Sequence, residues 1–206
     1  MLPINDKPPI PPLLPPPTPG PFLIAGLGNP GRQYANNRHN VGFMVLSRLA
    51  EKVGESFNRM ESRALVAKAN YQGIRLILAK PQTYMNGSGN AVRSLLRFYK
   101  LPLQQLLVVF DDVDLPLETL RLRAEGGSGG QKGMQSIIEQ LSSEAFPRLR
   151  VGIGRPPGRM EAADYVLQDF AKSEKELLDL TLNQAVDAIL TFVTDGLDKA
   201  MNLYNG

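Results

Sequence analysis

The chain has 206 residues, of which 43% are hydrophobic and 21% charged, proportions that are typical of a soluble globular protein with one core. It has no cysteine and one histidine, which excludes disulfides, thiolate nucleophiles and cysteine-ligated metals and leaves little for a zinc site. The net charge is +3, and no uninterrupted apolar run is long enough to cross a bilayer, so we expect a soluble, cytoplasmic protein.

The N-terminus is dominated by proline, which occupies ten of the first 21 positions. Proline lacks a backbone donor and favours an extended, solvated conformation. We therefore expect a disordered proline-rich tail at residues 1–21 and one folded domain at residues 22–206. The tail is interpreted either as an inert extension or as a ligand for a proline-binding module.

Strands and helices alternate along the rest of the sequence. Apolar runs and short alternating segments predict strands at residues 22–25, 63–69, 74–79, 106–110, 120–123 and 149–153. Apolar residues at helical spacing predict helices from about residue 40 and over residues 92–99, 134–141 and 178–193. This order indicates an α/β fold, and a hairpin through Gln72-Gly73 makes its sheet mixed rather than wholly parallel.

A glycine motif follows the first predicted strand. Residues 26–31, Gly-Leu-Gly-Asn-Pro-Gly, satisfy the G-x-G-x-x-G pattern of dinucleotide-binding loops, and Glu51 lies about twenty residues further on. That pattern requires the third glycine in the first turn of a helix, whereas Gly31 is followed by Arg-Gln-Tyr, which continues as loop. The sequence therefore favours a loop over a nucleotide site.

A second glycine-rich segment, residues 126–130, satisfies G-x-S-x-G with Ser128 as a possible nucleophile. In hydrolases with that motif the histidine follows the serine in the chain, whereas His39 precedes Ser128. The segment also lacks the Gly-Lys-Ser/Thr ending of a phosphate-binding P-loop, because Lys132 is followed by Gly133. We interpret it as a flexible loop.

His39 and Asp111 each come after a predicted buried strand, so we expect them to meet at one edge of the sheet. The carboxylate would fix the tautomer of the imidazole. Without a serine or cysteine nucleophile, the pair suits a histidine that activates water as a general base, with the amides of Asn29 and Asn86 to hold a carbonyl. A purely structural histidine is the alternative.

Charge is unevenly distributed along the chain. Residues 120–160 contain seven basic and three acidic residues, whereas residues 161–206 contain three lysines and nine carboxylates. The first stretch predicts a basic face for phosphates, and the alternative is two solvated faces of opposite sign.

Several segments together resemble the bacterial peptidyl-tRNA hydrolase family, and the match runs from Phe22 to about Asp169 in the family's order and spacing. They are Gly-Leu-Gly-Asn-Pro-Gly at 26–31, Tyr34, Arg-His-Asn at 38–40, Lys-Pro-Gln-Thr-Tyr-Met-Asn at 80–86, Asp-Asp-Val-Asp-Leu-Pro at 111–116 and Arg-Leu-Arg-Val-Gly-Ile-Gly-Arg-Pro at 148–156. The resemblance implies a monomeric α/β domain, with helices on both faces of a twisted mixed sheet and no metal or cofactor. It also implies hydrolysis of the ester bond in peptidyl-tRNA, which recycles tRNA from aborted translation.

The resemblance also implies roles for individual residues. His39 would deprotonate water and Asp111 would orient the His39 ring, while Asn29 and Asn86 would hold the peptide backbone and the polarised ester carbonyl.

Two further pairs carry over from the family. Tyr34 and Met85 would line the cleft. Arg123 and Arg150 would contact tRNA phosphates, and both lie in the basic stretch.

One segment departs from the family, which usually has Gly-Gly-His-Asn-Gly where this chain has Gly-Gly-Gln-Lys-Gly at residues 129–133. Lys132 replaces a cleft amide by an ammonium, which has donors but no acceptor. It is predicted to contact substrate carbonyls or phosphate. The alternative is a noncatalytic RNA-binding protein of the same fold, similar to plastid intron-splicing factors.

Overall fold

The computed structural model describes residues 20–206, and the predicted proline-rich tail lies outside this part of the chain except for its last two residues. One domain contains a seven-stranded mixed sheet with strand order β2-β3-β4-β1-β5-β7-β6. The strands are β1 Phe22–Gly26, β2 Arg59–Glu61, β3 Ala64–Tyr71, β4 Ile74–Pro81, β5 Leu106–Asp112, β6 Leu120–Arg123 and β7 Arg148–Gly152. The central strands β4, β1, β5 and β7 are parallel, while β2, β3 and β6 pair antiparallel with their neighbours.

Six α-helices accompany the sheet within residues 20–206. They are α1 Val41–Lys52, α2 Ser88–Tyr99, α3 Lys132–Leu141, α4 Ala162–Tyr165, α5 Lys175–Asp195 and α6 Leu197–Tyr204. Apolar residues of α1, α5 and α6 share one buried cluster with one face of the sheet, and those of α2 and α3 share a second cluster with the other face. The predicted α/β fold with helices on both faces is therefore confirmed.

The predicted hairpin is confirmed as β3 and β4. Tyr71 pairs with Ile74 across the turn, and the two turn residues, Gln72 and Gly73, both have positive φ, at 51° and 84°. Positive φ at both central positions defines the tight turn that matches the twist of paired strands, and glycine adopts it without steric cost.

A close approach of two glycines fixes the start of α1 over the end of β1. A Cβ atom on Gly26 would lie 2.4 Å from the carbonyl oxygen of Gly42. This contact brings the loop before α1 down onto the sheet edge. Residues 26–31 do not open an α-helix: the segment Arg32–Tyr34, predicted as loop, forms a single 3-10 turn, and α1 begins ten residues after Gly31. The structure thus excludes the helix start that a dinucleotide motif requires.

The long helix α5, with the turn before it, forms a segment Lys172–Asp195 whose most apolar 18-residue window has a mean hydropathy of 1.2, which by length and composition would suffice to cross a membrane. Half of its most apolar window is buried inside the domain, where Leu182, Val186 and Ile189 belong to the core. This segment is therefore packed as a core helix of a globular domain.

Three elements were not predicted from the sequence: β2, α4 and α6. Strand β2 has the sequence Arg-Met-Glu and is exposed along most of its length, so it shows no apolar alternation. It exists because it pairs with β3.

Candidate active site

The carboxyl ends of β1 and β5 lie side by side because these strands are parallel neighbours. The loop after β1 leads to Asn29 and then to His39, which lies in a 3-10 turn at Arg38–Asn40 just before α1. Asp111 is the penultimate residue of β5. The topology therefore brings these three residues to one sheet edge, as predicted.

His39 and Asp111 are in direct contact. The imidazole Nδ1 lies 2.8 Å from Oδ2 of Asp111, and the exposed fractions of the two side chains are 13% and 3%. A carboxylate only accepts hydrogen bonds, so Nδ1 is the donor. In the neutral ring the remaining nitrogen, Nε2, then keeps its lone pair and can take a proton.

The second carboxylate oxygen of Asp111 is bound by Gln131, whose Nε2 donates to Oδ1 at 3.0 Å. Gln131 is buried and is the N-cap residue of α3, where its Oε1 accepts the backbone N–H of Met134 at 2.7 Å. Gln131 was not predicted as a site residue, although the Gln131-Lys132 pair departs from the family's usual His-Asn. The N-cap position was the available signal, since a capping side chain has a fixed orientation.

A second set of hydrogen bonds orients Asn29. Its backbone N–H donates to Oδ1 of Asn40 and its carbonyl accepts from Nδ2 of Asn40, both at 2.9 Å. Its own Oδ1 accepts the backbone N–H of Met85 at 2.9 Å. With the oxygen engaged, Nδ2 is the part of the Asn29 amide that can serve a substrate. Asn40, which was not predicted as a site residue, holds the backbone of Asn29 in this position through both hydrogen bonds.

The His39 loop is clamped by Arg38, a buried residue that sequence reasoning also left without a role. Its guanidinium donates two hydrogen bonds to Glu174, at 2.6 and 3.0 Å, and lies 4.4 Å from the ring centroid of Tyr165 and 4.7 Å from that of Phe170. These hydrogen bonds hold the pKa of the Glu174 carboxyl below its usual value. The clamp ties the His39 loop to the segment that begins at α4.

Main-chain hydrogen bonds reinforce that connection. The N–H groups of Arg38 and His39 donate to the carbonyls of Gln168 and Val166, at 2.9 and 2.8 Å. As a result, the segment around α4 forms one wall of the site.

The dyad opens into a cleft of about 490 Å³. The predicted site residues that line it are Asn29, His39, Met85, Asn86, Asp111 and Lys132. The structure does not place Tyr34 among the lining residues; it lies in a separate 3-10 turn at Arg32–Tyr34. Exposed apolar side chains line the cleft as well, namely Tyr84 and Leu167, which are 66% and 47% exposed.

Ser128 also lines the cleft, but its surroundings are not those of a nucleophile. Its Oγ accepts the N–H of Gly130 at 3.3 Å, and no hydrogen bond joins it to His39 within the described residues 20–206. Nor do three or more metal-ligating side chains of the His, Cys, Asp or Glu type cluster anywhere in this part of the chain.

The arginines of the predicted basic face lie on β6, on β7 and in the loop after β7, and one of them is buried. Arg148 is 2% exposed, so it is unavailable to phosphates and the charge count overstated this face. Its guanidinium instead binds carbonyl oxygens of the glycine loop and of residues 144 and 146. Its side chain therefore holds the glycine loop beside the cleft.

Arg150 and Arg155 are paired with carboxylates that precede the basic stretch. Arg150 binds Asp112, and Arg155 lies 2.9 Å from Asp114. Arg123 is exposed, and within residues 20–206 its guanidinium donates only to the carbonyl of Leu122, at 3.2 Å.

The sequence and the fold of this chain are both similar to those of known proteins. The sequence profile of the family described as peptidyl-tRNA hydrolase matches residues 23–206. A peptidyl-tRNA hydrolase from Carboxydothermus hydrogenoformans is 51% identical over 184 residues, which cover 89% of this chain and 98% of the relative. One from Chloroflexus aurantiacus is 50% identical over 185 residues, with the same coverage. The crystal structure of peptidyl-tRNA hydrolase from Acinetobacter baumannii matches with a TM-score of 0.84 at 34% identity, covering 90% of this chain and 95% of that one.

Proposed function

This chain belongs to the peptidyl-tRNA hydrolase family and hydrolyses the ester bond of peptidyl-tRNA, and we propose that His39 activates the attacking water. The observation that carries this mechanism is the 2.8 Å contact between His39 Nδ1 and Asp111 Oδ2 at the base of the cleft. It leaves Nε2 as the basic nitrogen in the only imidazole of the chain.

In the proposed reaction, Nε2 of His39 takes a proton from a water molecule while the water oxygen bonds to the carbonyl carbon of the ester. Asp111 stabilises the imidazolium that forms. The tetrahedral intermediate then collapses, the bond from the carbonyl carbon to the ribose oxygen breaks, and the imidazolium returns its proton to that oxygen. The products are a peptide with a free carboxylic acid and a tRNA with a free ribose hydroxyl.

The amides of Asn29 and Asn86 are proposed to hold the substrate carbonyls. Nδ2 of Asn29 is positioned for this because its Oδ1 is already bound to the N–H of Met85. Donors that are fixed before the substrate arrives stabilise a developing oxyanion without reorganisation. Asn86 lies on the exposed rim of the same cleft, one residue after Met85.

Three further residues have proposed roles in the cleft. Met85, which is buried, would form part of its apolar floor. Lys132 is exposed at the start of α3 and would donate to substrate carbonyls or to a phosphate near the 3′ end of the tRNA. The resemblance also assigns Tyr34 to the cleft. Because Tyr34 is not among the lining residues, it would contact only a part of the substrate that extends beyond the cleft.

The body of the tRNA is proposed to lie against Arg123 and Arg150. All the arginines of the paired strands β6 and β7 project from one face of the sheet, because opposed residues and residues two apart share a face. Arg150 is joined through Asp112 to the strand that carries Asp111, so phosphate binding would take place beside the cleft.

Other properties are proposals that rest on the family and the sequence. We propose that the functional domain comprises residues 22–206, that residues 1–21 are an appended tail, and that the protein acts as a cytoplasmic monomer without membrane attachment, metal or cofactor.

The noncatalytic alternative, an RNA-binding protein of the same fold, is favoured by one observation, the replacement of an amide by Lys132. An assay on purified N-acetyl-aminoacyl-tRNA distinguishes hydrolysis from RNA binding alone. We expect release of free tRNA at equal rates with and without a metal chelator, and Ser128→Ala should retain this activity. Binding without release would support the alternative, and loss of activity in Ser128→Ala would return Ser128 to the mechanism.

A further inference from the structure

The Asp111 carboxylate is held at both oxygens, by His39 on Oδ2 and by Gln131 on Oδ1. We propose that Gln131 is a positioning residue for the catalytic dyad. In this role it fixes the plane of the Asp111 carboxylate, and through it the direction of the His39 ring. The inference rests on the proposed mechanism, in which His39 is the base.

The orientation of the Gln131 amide is determined by two contacts at once. Its Oε1 accepts the N–H of Met134 at 2.7 Å, so its Nε2 must point the other way, toward Asp111 at 3.0 Å. Rotating the amide by half a turn would set two oxygens against each other at Asp111 and two donors against each other at Met134. The helix cap and the contact with the dyad therefore depend on each other.

The surroundings strengthen this dependence. Gln131 is 9% exposed and Asp111 is 4% exposed, so water does not readily replace the hydrogen bond between them. The same Nε2 also lies 3.3 Å from Sδ of Met85, whose backbone N–H is bound to Asn29. One side chain thus contacts the carboxylate, a cleft wall and the start of α3.

Glutamine and the histidine that usually stands at this position in the family differ in one physical respect. A neutral imidazole can also accept from one nitrogen and donate from the other, but a protonated imidazole has two donors and no acceptor. The amide does not titrate, so in this chain the support of Asp111 does not change with pH.

Three substitutions separate the two contacts of Gln131. Gln131→Glu keeps an acceptor for the N–H of Met134 but removes the donor to Asp111. Gln131→Met removes both, and Gln131→His keeps both while the ring is neutral. Gln135→Glu is the matched control, because it makes the same charge change one turn along α3 on its exposed side.

We expect Gln131→Glu to lower kcat by roughly tenfold to a hundredfold at neutral pH, the usual scale for partners that orient a catalytic group, with little change in KM. A second carboxylate beside Asp111 favours the protonated His39 ring, so the acidic limb of the kcat profile should move to higher pH. The cap is kept, but two buried carboxylates would face each other, so the melting temperature should also fall, and kcat is measured well below the melting transition.

For the other two variants, Gln131→Met should lose kcat and also melt earlier, since the cap is lost. Gln131→His should approach wild-type kcat above neutral pH and fall below it in acid. Kinetics on N-acetyl-aminoacyl-tRNA from pH 5 to 9, with thermal melts, measure all of these.

The proposal is overturned if Gln131→Glu has wild-type kcat and an unshifted pH profile, or if Gln135→Glu shows the same loss. A loss confined to KM would also overturn it. His39→Ala is measured alongside: if it is inactive while Gln131→Glu is normal, only the role of Gln131 fails, whereas activity in His39→Ala would remove the mechanism itself.

Discussion

The cleft at the carboxyl ends of β1 and β5 and the arginine-rich edge formed by β6 and β7 differ in how their polar groups are partnered. In the cleft, Asp111 binds both His39 and Gln131, and within residues 20–206 no hydrogen bond occupies Nε2 of His39. On the edge, Arg148 and Arg150 bind groups of the protein itself. On the edge these polar residues largely maintain local structure, whereas we propose that those of the cleft serve the reaction.

This difference has an energetic reason. Buried polar groups must be fully hydrogen-bonded, so the cleft residues are held in one geometry before substrate arrives. Arg150 is 29% exposed, and a phosphate that approaches it must share it with Asp112. The two regions should therefore respond differently to substitution, the cleft through kcat and the edge through KM.

The largest effect should follow removal of the base. His39→Ala is expected to lower kcat by roughly 10³- to 10⁴-fold, because no other imidazole in the chain can take the proton of water. Tryptophan is absent, so tyrosine fluorescence and thermal melts would verify the fold. A folded variant with turnover near that of the wild type would remove His39 from the chemistry.

A smaller loss is expected when the charge of Asp111 is removed. Asp111→Asn preserves the shape, but its single oxygen can accept from only one of His39 and Gln131, and the neutral amide cannot stabilise the imidazolium, so kcat should fall by roughly 10²-fold or more with KM nearly constant. Steady-state kinetics on N-acetyl-aminoacyl-tRNA measure it. Unchanged kcat would show that the contact between His39 and Asp111 is structural only.

On the basic edge, Arg123→Ala and Arg150→Ala should each raise KM about threefold to tenfold, the scale of one exposed charge-assisted contact. The slope of log affinity against log salt should become shallower by about 0.7 to 0.9 for each lost contact. Arg75→Ala is a suitable control, since this exposed arginine is the second residue of β4, at the amino ends of the parallel strands and thus away from the cleft at their carboxyl ends. Equal effects of all three substitutions would mean that only overall charge matters.

The smallest effect is expected from the N-terminus. Deletion of residues 1–19 should leave kcat, KM and melting temperature unchanged, because the family match begins at residue 23 and the edge-to-face contact of Phe22 with Phe192 is retained. A lower melting temperature would show that this segment stabilises the domain. A raised KM alone would show that it contacts the tRNA.

The two regions also differ in how much of each could be predicted from the sequence. Strands β1 and β5 are continuous apolar runs with polar residues after or at their carboxyl ends, so both the sheet and the meeting of His39 with Asp111 were predictable. The contact of Arg38 with Glu174 joins residues 136 positions apart, and no local pattern indicates it. The burial of Arg148 was equally hidden, because an arginine on a strand is normally exposed, whereas here the folded glycine loop and residues 144–146 cover it.

The central proposal is that the cleft carries out the reaction while the arginine-rich edge binds the tRNA. It is tested most directly with a small substrate, an N-acetyl-aminoacyl ester of adenosine that lacks the tRNA body. The measurement is kcat/KM of the double variant Arg123→Ala/Arg150→Ala on this ester and on N-acetyl-aminoacyl-tRNA. We expect wild-type values on the small ester and a clear loss, through KM, on the full substrate, because phosphates far from the ester are bound alike in ground and transition states. An equal loss on both substrates would contradict the account, since these arginines would then support the chemistry or the fold and the tRNA would be bound elsewhere.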